Sequence, residues 1–173
     1  MIMTVSKRTA VANFKRDLID AVTTSVKTLL DSEIDIIFNA LALEANLETL
    51  EITVSMNTEF DFHRKRRYYE RNSEEMVSIV DLRYSIRDWN YQAIAVIQPM
   101  PDNLYEAYYA KKPESYLELL TNTLLEFEES ECFIKIPKDS TFLTLAMGTE
   151  EPIDASFMRY AALKTKREAR LNI

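Results

Sequence analysis

The chain of 173 residues contains a single glycine, Gly148. An average chain of this length would contain about 12 glycines. Loops that cradle phosphate groups need glycine, because its missing side chain lets backbone N–H groups approach the ligand closely. The sequence therefore excludes a P-loop, a dinucleotide-binding fingerprint and the glycine-rich loop of protein kinases.

Length and hydrophobicity predict one globular domain over residues 1–173, long enough to bury a core. No apolar run approaches ~18 residues, so we expect no membrane-spanning helix. The N-terminal segment "MIMTVSKRTA" lacks the apolar region of a secretory signal. The one cysteine, Cys132, has no partner for an internal disulfide, which fits a reducing compartment. We therefore expect a cytoplasmic protein.

Apolar periodicity predicts three substantial helices. The first runs from about Thr4 to Asp31. Pro113 fits the first turn of the second helix, whose apolar stripe is Tyr116, Leu117, Leu120, Leu124 and Phe127. The last helix is predicted from Asp154, with Ile153 and Met158 as a hydrophobic staple. Asp102 is a plausible N-cap for a further short helix.

Other segments predict strands. "IDIIFNALALEA", from Ile34, suits a buried strand, and "LEITVSM", from Leu50, alternates apolar and polar residues. The pair predicts an antiparallel hairpin with one side partly exposed to water. "MVSIVDLRYSI", "CFIKIP" and "TFLTLAMG" also indicate extended structure. We predict an α+β fold: a mostly antiparallel sheet of about four to five strands, with a long N-terminal helix and further helices packed on it.

The segment "DFHRKRRYYERN" concentrates five arginines and lysines in a chain whose net charge is −7. Basic and aromatic side chains mixed in this way suit contact with single-stranded nucleic acid. The candidate contacts within residues 63–71 are Arg64, Lys65, Arg66, Arg67, Tyr68 and Tyr69. The acidic net charge disfavours nucleic-acid binding. The alternative is a solvated surface helix whose aromatic residues pack inward.

An acidic helix face offers the opposite interaction. Complementary charge would speed its docking on a basic protein. The candidate partner-binding residues are Glu114, Glu118, Glu126 and Glu129. The alternative is a solvated outer face without a partner.

The sequence supplies little for catalysis or metal binding. His63 is the one histidine; as a general base it would need a nucleophile, and no nucleophile signature accompanies it. Structural zinc usually takes four Cys or His ligands, and the chain has two such residues. We expect no metal, no cofactor and no catalytic residue. A site assembled from scattered carboxylates, tyrosines or Trp89 stays open.

Two short motifs carry a resemblance. Asn57, Thr58 and Glu59 end an early strand, and an Arg-Tyr pair at residues 83 and 84 precedes Trp89. Over Ile34 to Gln92 the chain resembles a family of small bacterial proteins of unknown function that are candidate immunity proteins beside polymorphic toxins. The "HRKRRYYERN" segment and the basic C-terminal helix depart from that family.

The resemblance implies a non-catalytic immunity protein that binds and neutralises a bacterial toxin. Its partner would be a basic toxin domain, for example a nuclease, held by an acidic surface with aromatic anchors. The alternative is a nucleic-acid or regulatory binding protein that uses residues 63–71.

Overall fold

The computed structural model describes residues 6–72 and 78–171 and has the predicted α+β architecture, with helices on both faces of one mixed sheet. The helices are α1 Lys7–Ser32, α2 Glu59–Asn72, α3 Ile79–Tyr84, α4 Asp102–Tyr108, α5 Pro113–Phe127, α6 Glu131–Lys135 and α7 Ile153–Leu171. The strands are β1 Phe38–Ala45, β2 Ile52–Thr58, β3 Tyr91–Ile97 and β4 Lys138–Gly148, and a single 3₁₀ turn spans Ile86–Asp88.

The four strands lie in the order β3-β2-β1-β4. The β1–β2 and β2–β3 pairs are antiparallel, which confirms the predicted hairpin and the mostly antiparallel sheet. Asn46 closes the hairpin, because its Oδ1 accepts from the backbone N–H groups of Glu48 and Thr49 at 2.9 and 3.2 Å. β4 pairs with β1 in parallel, so the carboxyl ends of these two strands lie side by side at Ala45 and Gly148.

The predicted long N-terminal helix is present as α1, which begins at Lys7 and ends at Ser32, whereas the predicted start at Thr4 lies outside the described residues. Ser6 caps α1 through its side-chain oxygen, which accepts from the N–H of Thr9 at 3.3 Å. The apolar stripe packs toward the sheet, and burying each large side chain contributes roughly 1.5–3 kcal/mol. Its fully buried members are Phe14, Leu18, Val22 and Val26. α5 covers the same face, with all five predicted stripe residues buried.

The second face of the sheet is covered only in part, which agrees with the prediction that one side of the hairpin is partly exposed: Glu44 and Thr53, paired across the hairpin, are both partly exposed. Ser55 and Asn57 on β2 are buried, and Trp89 packs with Ala40, Ala42 and Leu145 in a second, smaller core. The alternation in "LEITVSM" therefore separates a buried apolar face from a polar face that is exposed at Glu51, partly exposed at Thr53 and buried at Ser55.

Two segments predicted as extended are helical. Within "MVSIVDLRYSI", Ile79–Tyr84 forms α3, while Met76 and Val77 lie outside the described residues. In "CFIKIP", α6 forms over Glu131–Lys135 because Ser130 caps it, accepting from the N–H of Phe133 at 3.2 Å. Apolar runs this short do not distinguish strand from helix.

Two details at helix starts also differ from the prediction. α4 does begin at Asp102, but its N-cap is Pro101. The staple between Ile153 and Met158 does not form, because Met158 is exposed while Ile153 packs into the smaller core. None of the helices in the described ranges is both long and apolar enough to cross a bilayer.

Candidate functional site

The four glutamates predicted to bind a partner differ in whether they form ion pairs within the chain. Glu118 is exposed and has no ion pair among the described residues. Glu114 lies 3.5 Å from Arg159 Nε. Glu126 pairs with Lys15, and Glu129 pairs with Arg167 at 2.9 Å. Much of the predicted acidic face is therefore neutralised by cations of the same chain.

The basic C-terminal half of α7 lies against the end of α5. Lys164 Nζ donates to the Tyr160 hydroxyl at 2.9 Å and lies 3.5 Å from Glu128 Oε2. The hydrogen bond to Tyr160 is the main cause that raises the pKa of Lys164. Tyr160 in turn donates to Glu128 at 2.8 Å. α7 thus occupies part of the surface that a basic partner would need.

The basic stretch forms α2, and most of its cations are also paired. Arg64 lies 3.0 Å from Asp61, Lys65 lies 3.4 Å from Asp88, and Arg66 lies 2.7 Å from Glu70. Among the described residues, the Arg67 side chain has no ion pair. This pairing reduces the positive charge that α2 can offer to phosphate groups.

The aromatic residues of α2 pack inward only in part. Phe62 is buried, and Tyr69 is half-buried. Phe60 and Tyr68 are 69% and 60% exposed, so the prediction that they pack inward is wrong. The period of the helix turns these two side chains away from the core while Phe62 faces it.

The candidate catalytic and metal-binding residues are structurally engaged or dispersed. His63 Nε2 lies 2.9 Å from Glu59 Oε1 on the surface of α2. Cys132 is buried, and burial raises the pKa of its thiol. Across residues 6–72 and 78–171, no three His, Cys, Asp or Glu side chains are grouped so that they could hold a metal ion.

The motif residues behind the family resemblance meet at one joint. Arg83 of α3 donates to both oxygens of Glu59 at 3.0 and 3.2 Å and to Thr141 of β4 at 2.7 Å. Its backbone oxygen accepts from Trp89 Nε1 at 3.0 Å and from Asn57 Nδ2 at 3.4 Å. The motifs therefore hold α2, α3 and β4 together, which is a structural role.

Asp61, which the sequence did not single out, completes this joint. It is 5% exposed and accepts from the Thr58 hydroxyl at 2.7 Å and from Asn90 at 2.8 Å. The Thr58 oxygen accepts from the Asp61 N–H at 3.0 Å. The two residues form a reciprocal cap on α2. The Thr-x-x-Asp spacing was the signal that could have identified it.

An exposed apolar and acidic surface adjoins the joint where α1 leads into β1. We call it the corner surface and define it as Asp31, Ile34, Asp35, Ile37 and Phe60. Its three apolar side chains are 83%, 54% and 69% exposed in chain order. Neither aspartate has an ion pair among the described residues, and both are exposed.

Clefts flank the loop of the corner surface on both sides, and Asp35, Ile36 and Ile37 line both of them. One cleft, of about 460 Å³, lies toward α2 and includes Phe60. The other, of about 510 Å³, lies toward Pro137. The loop between the two clefts is a ridge that a partner could contact on both sides.

A third cleft, of about 600 Å³, lies at the opposite end of the sheet, beyond the carboxyl ends of β1 and β4. Its lining includes Gly148 and the glutamates Glu48, Glu114, Glu150 and Glu151. Arg159 is buried beside it and pairs with Glu151. Burial raises the pKa of Glu151 despite this cation.

Comparison with known proteins adds one match. A family model described as a domain of unknown function (DUF4303) matches residues 9–166. No curated protein and no solved structure matches the chain.

Proposed function

The chain belongs to the DUF4303 family, a domain of unknown function, and we propose that it is a non-catalytic cytoplasmic protein that binds and neutralises a basic bacterial toxin domain. The resemblance of the Asn57–Glu59 and Arg83–Trp89 motifs to candidate immunity proteins motivates the toxin as partner. The family description itself names no partner and no activity.

The observation that carries the proposal is which exposed charges remain unpaired. Three of the four consecutive cations of α2 are paired with acids of the same chain. By contrast, Asp31, Asp35 and Glu118 are exposed and have no ion pair within the described residues. Together with the net charge of −7, these unpaired acids favour a basic protein over nucleic acid as the partner.

Neutralisation would follow from occlusion. A basic toxin that acts on a polyanion, such as a nuclease, carries its positive charge around its active cleft. An acidic surface with apolar anchors can occupy that cleft, with charge steering the encounter and the anchors slowing dissociation. No group of this chain needs to react for the toxin to be blocked.

Affinity purification of the chain from its native host at low salt tests the proposal. We expect a stoichiometric basic protein that is released by salt, with a protein-like absorbance spectrum of the eluate. Glu118→Lys tests the predicted acidic face: weakened retention would place the contact on α5, and unchanged retention would assign it to another surface of the chain. Retention of nucleic acid instead of protein would contradict the proposal.

One observation supports the alternative, a nucleic-acid binding protein. Arg67 is unpaired among the described residues and Tyr68 is 60% exposed, a cation and a stacking ring on the outer side of α2. This alternative expects mixed oligonucleotides to bind at low salt and Arg67→Ala with Tyr68→Ala to abolish that binding. The absence of any binding by the wild type would remove it.

A further inference from the structure

We infer that the corner surface is the face that docks on the basic partner, an assignment that rests on the proposed function. Seven large hydrophobic side chains are exposed within the described residues, and three of them, Ile34, Ile37 and Phe60, belong to this surface. Ile37 and Phe60 line the same cleft. Large apolar side chains grouped beside acidic residues mark an interface rather than a solvated loop.

The corner surface is held in place by the backbone. The N–H of Glu59 donates to the Ile37 oxygen at 3.0 Å, and the N–H of Phe38 donates to the Pro137 oxygen at 2.8 Å. Ile36, between the exposed isoleucines, packs against the main core. Because the ridge is already ordered, a partner loses little conformational entropy of this chain on binding it.

The backbone of Asp35 is a second observation that the loop before β1 has a defined conformation. Its φ is 58°, a left-handed backbone that costs energy for residues other than glycine. An aspartate tolerates this region better than most residues. The left-handed residue lies between Ile34, which is exposed, and Ile36, which packs against the main core.

The charges around the ridge indicate which kind of partner fits the corner surface. Asp31 and Asp35 form no ion pair within the described part of the chain, not even with Lys27 one turn earlier on α1, and the cation of Arg64 is 3.0 Å from Asp61. Lys135, on the rim of the second cleft, lies 3.9 Å from Glu131. A second copy of the chain, docked symmetrically, would bring like charges together. The surface therefore fits a basic protein with apolar residues at the centre of its binding site.

The test measures affinity for the basic protein retained in the purification above, once that protein is itself purified. Phe60→Ala and Ile34→Ala should each weaken binding about tenfold or more, as expected for anchors at the centre of an interface. Asp35→Asn should weaken binding less, and should also reduce its dependence on salt. Asparagine tolerates the left-handed backbone, so this variant removes the charge without new strain.

The matched controls are Met158→Ala, an exposed apolar residue on α7, and Asp20→Asn, an exposed acid on α1. Both should bind within about twofold of wild type. Thermal unfolding should be unchanged in every variant, since the substituted side chains are exposed.

Each outcome separates this assignment from the proposed function. If all three corner variants bind the basic protein with wild-type affinity, the assignment of the corner surface is overturned and the proposed function still stands. A wild type that binds no basic protein contradicts the function and the surface together. A wild-type dimer that Phe60→Ala converts to monomer shows that a second copy occupies the surface, and overturns the assignment to a basic partner.

Discussion

At the scale of single residues, the shortage of glycine leaves residues with side chains at left-handed backbone positions. Asp35, Leu50 and Ala93 have φ values of 58°, 60° and 48°, in the left-handed region that glycine adopts most easily. Gly148 is not at a left-handed position, and an added Cβ would lie 3.7 Å from Glu151 Cβ, an ordinary contact. The one glycine therefore stands where the backbone does not require it, and three positions that would favour glycine lack it.

Ala93 gives the cleanest test of this strain, because its small side chain is exposed on the irregular part of β3. Ala93→Gly should stabilise the fold by up to about 1 kcal/mol, since relief of the left-handed cost exceeds the entropy that glycine adds to the unfolded chain. Ala95→Gly, two residues along the same strand and in contact with the core, is the control and should destabilise by about 1 kcal/mol. Urea unfolding measures both, and a destabilised Ala93→Gly would contradict the account.

Glu151 provides a pH test with a defined sign. Burial raises its pKa above the ordinary value of 4.5, so the folded chain binds this proton more tightly than the unfolded chain does. That stabilisation is fully present below about pH 4.5 and is lost as the pH rises through the folded-state pKa. Relative to Glu151→Gln, the wild type should therefore lose stability as the pH rises above about 4.5.

Denaturant unfolding across this range measures the difference, with Glu150→Gln as the exposed neighbouring control. A wild type that gains stability relative to Glu151→Gln as the pH rises would show that the Arg159 charge outweighs burial.

At the scale of elements, Arg83 joins three of them. Its side chain is 14% exposed and links α3 to Glu59 at the start of α2 and to Thr141 on β4. Its guanidinium also lies 4.0 Å from the centre of the Phe62 ring. Because α3 is only six residues long, these contacts rather than helix propensity hold it in place.

Arg83→Ala should cost about 2–3 kcal/mol of unfolding free energy, because it leaves the partly buried Glu59 without its cation and removes the contacts of a largely buried side chain. Arg66→Ala breaks an exposed ion pair within α2, between Arg66 and Glu70, and should cost about 0.5 kcal/mol or less. Urea unfolding of the two variants gives the comparison. Equal losses would mean that the joint contributes no more than an ordinary surface ion pair.

The elements that could be predicted are those with a long, repeated pattern. α1 and α5 each bury a stripe that recurs over several turns, and β2 alternates over its whole length. α3 and α6 could not be predicted, because five or six residues carry too little periodicity. The Ser130 cap decides α6, and the contacts of Arg83 hold α3. The apolar run beginning at Ile34 shows the same limit. We predicted a buried strand there, but β1 begins at Phe38, and Ile34 and Ile37 precede it and are exposed.

At the scale of the whole molecule, the ion pairs that neutralise the acidic face join residues far apart in sequence. Glu126 is paired with Lys15 of α1, and Arg167 of α7 approaches both Glu126 and Glu129. The sequence shows an acidic helix and a basic helix but does not show that the fold brings them together. The parallel pairing of β4 with β1 is equally nonlocal, since five helices and two strands separate them in the chain.

The candidate site was therefore only partly visible in the sequence. The family motifs did identify residues that meet in space, from Asn57 to Trp89. The charged surfaces were identified as well, but which charges stay free depends on pairing in three dimensions. The corner surface emerges only once exposure is known, because apolar residues in a sequence are expected to be buried.

The most direct test of the central claim is neutralisation by the purified components. The basic protein captured at low salt is assayed for its own toxic activity, alone and with an equimolar amount of this chain. The account predicts that the wild-type chain blocks this activity. The Met158→Ala chain should block it equally, whereas the Phe60→Ala chain should leave the captured protein active. Full activity of the captured protein in a saturating excess of the wild-type chain would contradict the claim.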